Sequence, residues 1–198
     1  MTYAIIGSGA IGTALARQFF RNGVKAGIAN SRGPQSLVDL VGELGSTIAA
    51  IPVAAALQAD IVILAVPFAA IPGIVRATPG WNGRIVIDAS NAIDFPAFTP
   101  TDLGGRPSSE IVAEAVPGAR VVKAFNTLPA ALLATDPKQS GGRRVLFLSG
   151  NHAEANAQAA SLIEALGFAP VDLGKLSEGG RLQQFGGALP VLDLIRMG

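Results

Sequence analysis

The sequence predicts an α/β protein built on a doubly wound, mostly parallel sheet, and three observations predict it. Short β-rich apolar runs alternate with Ala-rich segments of helical length along most of the 198 residues. The runs are continuous rather than alternating, as in strands covered on both faces. A G-x-G-x-x-G turn directly follows the first run and opens the first helical segment.

Tyr3 to Ile6 is the first predicted strand, and Ile11 to Asn22 is the helix after it, closed by Gly23. Val24 to Ala29 is the second strand. Pro34 opens the next helix, where a first turn tolerates its missing N–H, and Leu37, Leu40, Val41 and Leu44 mark a buried face before Gly45. Ile61 to Val66, Ile85 to Asp88, Val121 to Phe125, Val145 to Leu148 and Phe168 to Val171 are the remaining strands, with a long helix at His152 to Leu166 closed by Gly167. Strands and helices repeated in this order give right-handed crossovers.

Phe95 to Pro107, with three prolines and two glycines, reads as a loop at the carboxyl edge of the sheet, and Thr135 to Gly142 as a polar connector. Neither divides the chain, so residues 1–198 form one domain with 173–198 as a short C-terminal helical extension. In that extension Ala188, Val191, Leu192 and Ile195 suggest a terminal helix with one apolar face.

Apolar residues make up 49% of the chain, which excludes disorder and allows a sizeable core. Charged residues make up 15% and the formal net charge is +1, so there is no electrostatic footprint for nucleic acid or an anionic membrane. The absence of Cys removes disulfides, thiolate nucleophiles and Cys-ligated metals, and suits a cytoplasmic protein. The apolar N-terminus carries no basic residue before Arg17 and is interrupted by glycines, unlike a signal peptide. Ile61 to Val75 is broken by Pro67, Pro72 and Gly73 and falls short of the roughly 20 residues that span a bilayer.

Gly7-Ser8-Gly9-Ala10-Ile11-Gly12 carries the chemistry. The first glycine permits a tight turn, the second lets backbone N–H groups approach a pyrophosphate, and the third lets the helix pack on its strand. In this strand-turn-helix setting the motif predicts a Rossmann-type dinucleotide site, with the phosphates at the helix N-terminus. An NAD site ends its second strand on an acid that holds the ribose 2′-hydroxyl. Here the place reads Ala29-Asn30-Ser31-Arg32-Gly33-Pro34, and the next acid is Asp39. A serine hydroxyl and an arginine guanidinium suit a 2′-phosphate, so the expected cofactor is NADP.

Other chemistries find little support. His152, the single histidine, sits at a predicted helix start and reads as a capping or solvated residue; no G-x-S-x-G elbow accompanies it. Asp88 and Asp94 flank the crevice without the further ligands of a metal site, and read as loop-capping, solvated carboxylates. No metal is expected. Lys123 is either a proton donor or a side chain on the other face of the sheet, paired with a loop carboxylate. No catalytic side chain is assigned.

Three motifs together carry a resemblance: Gly7 to Gly12, the Ser31-Arg32-Gly33-Pro34-Gln35 turn and Lys123-Ala124-Phe125-Asn126-Thr127. Over Thr2 to about Leu194 the chain resembles the NADPH-dependent reductases of the deazaflavin coenzyme F-420. It is also similar to the cytosolic oxidoreductase domain of the transmembrane ferric reductases, to which K-A-F-N-T lies closer. The resemblance implies that Ser8, Gly9, Ala10, Ile11 and Gly12 hold the pyrophosphate. Ser31 and Arg32 would hold the 2′-phosphate, with the Ser36 hydroxyl in reach. Val66 and Asn91 would border the ribose and nicotinamide, and Ala124, Asn126 and Thr127 would lie beside the nicotinamide ring. Some members carry Lys where Ser36 stands and His where Asn126 stands.

The expected function is hydride transfer between NADP(H) and a flavin-type acceptor, with coenzyme F-420 favoured over a flavin, in a homodimer with no nucleic-acid or membrane partner. Ring-to-ring transfer needs proximity more than an acid–base pair, and Pro67, Phe68, Ile71 and Phe125 are expected to wall the acceptor space. Two alternatives are an NADPH-dependent flavin or ferric reductase working through a diffusible flavin, and an NADP(H)-binding redox sensor without turnover. An open apolar pocket bounded by Pro67, Phe68, Asn126 and the C-terminal segment distinguishes an enzyme from a sensor. Imine and hydroxyacid reductases carry a long helical C-terminal domain, and residues 172–198 are too few for one.

Overall fold

The computed structural model describes residues 1–78 and 80–198. Its first half runs β1 (Tyr3–Ile6), α1 (Ala10–Arg21), β2 (Ala26–Ala29), a 3-10 turn (Pro34–Leu37) leading into α2 (Val38–Leu44), β3 (Ile48–Ala50), α3 (Val53–Ala56), β4 (Ile61–Leu64) and α4 (Ile71–Val75). The second half begins with β5 (Ile85–Asp88), then a small hairpin of β6 (Ile93–Asp94) and β7 (Thr99–Pro100), then α5 (Ser108–Ala115) and β8 (Arg120–Ala124). After α6 (Ala130–Leu133) and β9 (Lys138–Gln139) come β10 (Gly142–Gly150), α7 (Ala153–Ala165) and β11 (Ala169–Asp172). A single π-helical stretch (Leu176–Gly180), α8 (Arg181–Gln183) and β12 (Ile195–Met197) complete the chain.

The main sheet has the order β11-β10-β8-β5-β4-β1-β2-β3. Its pairs are parallel except where β10 meets β8, with Leu148 opposite Ala124. The chain places β2 and β3 on one side of β1 and β4 and β5 on the other, so β1 and β4 border the reversal in strand order. An open α/β sheet binds ligands outside the carboxyl ends of its strands at that reversal. The glycine turn leaves β1 there.

Because side chains alternate along a strand, the continuous apolar runs divide between two layers. Ile5, Ile28, Ile63 and Ile87 pack with Leu15 and Phe19 of α1 and Leu162 and Ile163 of α7. Ala4, Ile6, Val62, Leu64 and Val86 face the other way, against Ile71, Val75, Trp81 and Val112. Both layers are helix-covered, which is why these strands are so apolar; the charged residues buried within β5 and β8, Asp88 and Lys123, pair with each other.

The architecture is the mostly parallel Rossmann-like α/β sheet that the sequence predicts, with local differences that include the β6–β7 hairpin at the start of the expected loop. The short strand β3 is not evident in the apolar pattern, since its three residues lie within an Ala-rich stretch. β10 is longer than expected, because its first residues pair with β9 and β12 rather than with the main sheet. The terminal helix expected from Ala188 onward does not form; the helical part of the extension lies earlier, at Leu176–Gln183. Pro190 has no N–H for a helix, and long-range bonds hold the segment in turns that lead to β12. The Val191 N–H donates to the Thr127 carbonyl at 2.7 Å and the Val145 N–H to the Leu194 carbonyl at 2.8 Å, while Arg144 pairs with Asp193 at 2.6 Å. Among the described residues, no helix is long and apolar enough to cross a membrane.

Candidate active site

The glycine turn is shaped by contact as much as by backbone freedom. Gly7 has φ of 115°, and a Cβ there would lie 2.1 Å from the Ala65 carbonyl oxygen on β4's continuation. A Cβ on Gly12 would lie 1.9 Å from the Gly7 carbonyl oxygen, so α1 could not sit this close to its strand with any other residue. Gly9 differs from both. A Cβ there meets nothing within 4 Å, so the middle glycine faces open space. The first N–H groups of α1 have no partners within the helix and carry its positive dipole end to the same place.

At the end of β2, Asn30 organises the turn that follows. Its Nδ2 donates to the Ser8 hydroxyl at 2.9 Å and to the Ser36 hydroxyl at 3.0 Å, and its Oδ1 accepts the Arg32 N–H at 2.9 Å. Ser36 Oγ lies 2.7 Å from the Gly33 carbonyl oxygen, within donating range, so this hydroxyl is engaged in the turn rather than free. Arg32 is exposed and has no carboxylate partner among the described residues.

A cleft wraps around the turn in two lobes of about 700 Å³ each. The first is lined by Ser8, Gly9, Asn30, Ser31 and Arg32 on one side and by Val53, Val66, Ala70 and Ile74 on the other. The second is lined by Gly9, Ala10 and Ile11, by Pro67 and Phe68, and by Ser90, Asn91, Ile93, Asp94, Phe95 and Thr101. Gly9, Ala65, Val66 and Pro67 belong to both lobes. A dinucleotide has this form, two nucleoside halves joined by a pyrophosphate. The cradle fits one.

Behind the second lobe lies a polar network. Asn126 Nδ2 donates to Asn91 Oδ1 at 3.0 Å and Asn91 Nδ2 returns a bond to the Asn126 carbonyl at 2.9 Å. Asn126 Nδ2 also reaches the Gln183 carbonyl at 2.7 Å. The Gln183 side chain is fully buried between the ends of β8 and β10, donating to the Phe147 carbonyl at 3.1 Å and the Lys123 carbonyl at 3.3 Å while accepting from Ser149 at 2.6 Å. The C-terminal segment is thereby fastened to the K-A-F-N-T turn, whose Phe125 has φ of 65°.

Lys123 and Asp88 form a fully buried ion pair at 3.2 Å. Lys123 Nζ also donates to the Ser90 carbonyl at 3.2 Å and lies 3.4 Å from the Ser108 hydroxyl, so its charge is consumed internally. Asp88 accepts from the Ser90 N–H at 3.0 Å, the Ser90 hydroxyl at 2.6 Å and the Ser109 hydroxyl. Burial by itself raises the carboxyl pKa; the Lys123 charge and the serine hydrogen bonds outweigh it, and the net position is below the ordinary carboxylate value.

The cleft brings together Ser8, Gly9, Ala10, Ile11, Ser31, Arg32, Val66 and Asn91 of the expected site residues. Gly12 lies beneath the turn and Asn126 behind Asn91. Ala124 is not at the cleft: strand alternation turns it into the core, where it is fully buried with Ile87 and Leu148. Two expected walls are also displaced. Phe125, turned by its left-handed backbone, and Ile71 of α4 are both core residues, and Ile93 and Phe95 of the hairpin take their place. Asp88 is a buried ion-pair member rather than a solvated cap, whereas exposed Asp94 accepts from Thr101 at 2.7 Å. His152 is the exposed N-cap residue of α7, without a side-chain capping bond.

Sequence reasoning missed Asn30, Phe95 and Gln183. Asn30 had a signal, since it occupies the place of the acid that an NAD site carries; Phe95 and Gln183 had none, because each reaches the site through tertiary contact.

Residues 2–92 match the family model described as NADP oxidoreductase coenzyme F420-dependent. Metalloreductase STEAP3 of Rattus norvegicus is 27% identical over 173 residues, which cover 87% of this chain and 34% of that protein. The chain therefore spans about a third of that relative's length. Among solved structures, the hypothetical protein SMa0349 from Sinorhizobium meliloti is 61% identical with a TM-score of 0.97, over 99% of this chain and 96% of that one. A candidate F420-dependent NADP-reductase from Arthrobacter sp. FB24 is 27% identical with a TM-score of 0.75, over 89% and 86%. The glycine cradle and the acid-free end of β2 fall within the residues that match the NADP oxidoreductase model, and the chain as a whole belongs to one family with the Sinorhizobium protein.

Proposed function

We propose that this protein binds NADP(H) across the two-lobed cleft and exchanges a hydride with a flavin-type acceptor, the deazaflavin F-420 ahead of a flavin. In this assignment Ser31 and Arg32 hold the 2′-phosphate, the turn from Ser8 to Gly12 holds the pyrophosphate, and Val66 and Asn91 border the nicotinamide end. The nicotinamide supplies the hydride chemistry. The chain supplies binding, orientation and exclusion of water.

One observation carries the choice of acceptor. Among the described residues lining the second lobe, Asp94 is the single titratable group, and it accepts a bond from Thr101 at the rim. Lys123, the basic residue of the K-A-F-N-T turn, is buried and fully partnered. Reduction of a carbonyl gains from a positioned proton donor; a flavin-type ring takes the hydride at one ring atom and its proton from water. The lobe's apolar walls and its openness also favour turnover over a sensor that fills its own pocket.

The experiment is anaerobic NADPH oxidation by the purified protein with F-420, FMN, and a panel of small ketones, imines and 2-oxoacids. Oxidation with a ring acceptor and none with the panel is expected. Reduction of a small carbonyl or imine with both rings ignored would overturn the proposal, and NADPH binding without any turnover would transfer it to a redox sensor.

A further inference from the structure

We infer that Phe95, backed by Phe98 and Phe185, is the stacking partner of the acceptor ring and the residue that restricts this protein to planar fused-ring acceptors. The inference rests on the functional reading above and adds the acceptor's seat to it.

Phe95 lines the same lobe as Gly9, Ala10 and Ile11, so its ring borders the space at the nicotinamide end of the cleft. It is 73% exposed, and the fold therefore draws little packing from it. Yet the side chain is placed with care. Phe98 meets it edge-to-face at 5.8 Å and 64°, and Phe185 meets Phe98 at 5.1 Å and 78°. Phe98 has φ of 53°, a left-handed backbone that a bulky side chain adopts only where its surroundings impose it.

The ledge is fixed from two directions. On one side is the β6–β7 hairpin; on the other is the C-terminal segment, anchored by the fully buried Gln183 two residues before Phe185. The two sides touch: a Cβ on Gly186 would lie 2.6 Å from Pro100 Cγ. A rigid aromatic face, wet on its outer side and open to the hydride position, suits a flat ring that covers it on binding. A small carbonyl compound would leave it in water. A second copy of this chain is the competing occupant, and the test separates the two.

The probe is riboflavin, whose tricyclic ring has the shape shared by flavins and deazaflavins and whose fluorescence is quenched on stacking. Titrated into protein saturated with NADP+, it is expected to bind wild type and Phe95→Trp alike, and Phe95→Ser roughly tenfold or more weakly, the usual cost of removing an aromatic stacking partner. NADP+ affinity is expected to change much less than riboflavin affinity in each variant, since Phe95 lines the second lobe and not the first, where Ser31 and Arg32 stand. Under turnover, Phe95→Ser should raise the KM for the ring with that for NADPH unchanged. Phe95→Leu, which keeps the apolar bulk, serves if Phe95→Ser does not fold. Absence of quenching in the wild type, or equal riboflavin affinity in wild type and Phe95→Ser, overturns the inference. So does a dimer that Phe95→Ser converts to monomers with riboflavin binding unchanged, because the ledge would then be a subunit contact. Turnover of rings undiminished in Phe95→Ser removes the seat and leaves the function; failure of wild type with both F-420 and flavin removes the function itself.

Discussion

Asn30 Nδ2 lies 2.9 Å from the Ser8 hydroxyl oxygen, and this hydrogen bond joins the carboxyl end of β2 to the glycine turn that leaves β1. The same carboxamide holds Arg32 and Ser36, so one neutral side chain sets the geometry of both proposed phosphate positions. Asn30→Asp removes the two donated bonds and sets a negative charge beside the 2′-phosphate position. At roughly 1.5–3 kcal/mol for a charge-assisted contact, NADPH affinity should fall about tenfold or more and the preference should move toward NADH. Calorimetric titration of both nucleotides checks this, and unchanged NADPH affinity would deny Asn30 the role.

Arg32→Ala separates the phosphate contact from the turn's geometry, since the Asn30 bond is made to the Arg32 backbone. NADPH should bind about tenfold more weakly and NADH nearly as before, because NADH has no 2′-phosphate to lose. Equal affinities for the two nucleotides in the unmutated protein would contradict the assignment.

Gly9 and Gly12 should respond to valine in opposite ways. Gly9→Val places its branches in open space within the cleft, so the protein should fold with nucleotide binding abolished. Gly12→Val drives a side chain into the Gly7 carbonyl, an overpacking cost of about 1–3 kcal/mol or more, and should lower Tm. Thermal melts with and without NADPH distinguish the two results.

The buried Lys123–Asp88 pair is expected to act on stability rather than on proton transfer. Lys123→Met leaves a buried carboxylate without its partner and should cost about 3–5 kcal/mol, while the Lys123→Met/Asp88→Asn double variant should recover much of that loss. Denaturant melts measure both. A double variant no more stable than Lys123→Met would show that the lost charge balance is not the cause.

The same pair sets an acid limb. Asp88 has a folded pKa below its unfolded value of about 3.9, so its contribution is fully present above that value and is lost as pH falls through the folded pKa. Asp88→Asn should flatten the decline in stability below about pH 4. An acid limb of the same slope in both proteins would assign the decline to other carboxylates.

The layered sheet and the glycine turn were legible in the chain because both are local. Continuous apolar runs such as Ile61 to Leu64 state that a strand is covered on both faces, and Gly7 to Gly12 state a turn whose spacing only a tight approach requires. Tyr3–Ile6 and Ile85–Asp88 were recovered residue for residue. The absence of an acid after Ala29 was readable for the same reason.

What only the tertiary structure decided depends on residues far apart in sequence. Whether Lys123 was a proton donor or paired with a carboxylate turned on Asp88 in the adjacent strand, and the loss of the expected terminal helix turned on partners at Thr127, Arg144 and Val145. Ala124 and Phe125 read as site residues from their motif, and the core claimed both. Phe95 entered the site through a hairpin whose composition announced only a loop, and Gln183 through an extension whose apolar pattern pointed to a helix only from Ala188 onward. Local pattern fixes which segments are buried and where the backbone must turn; the neighbours that satisfy a side chain's charge, hydrogen bonds or ring face are chosen when distant strands pair and pack.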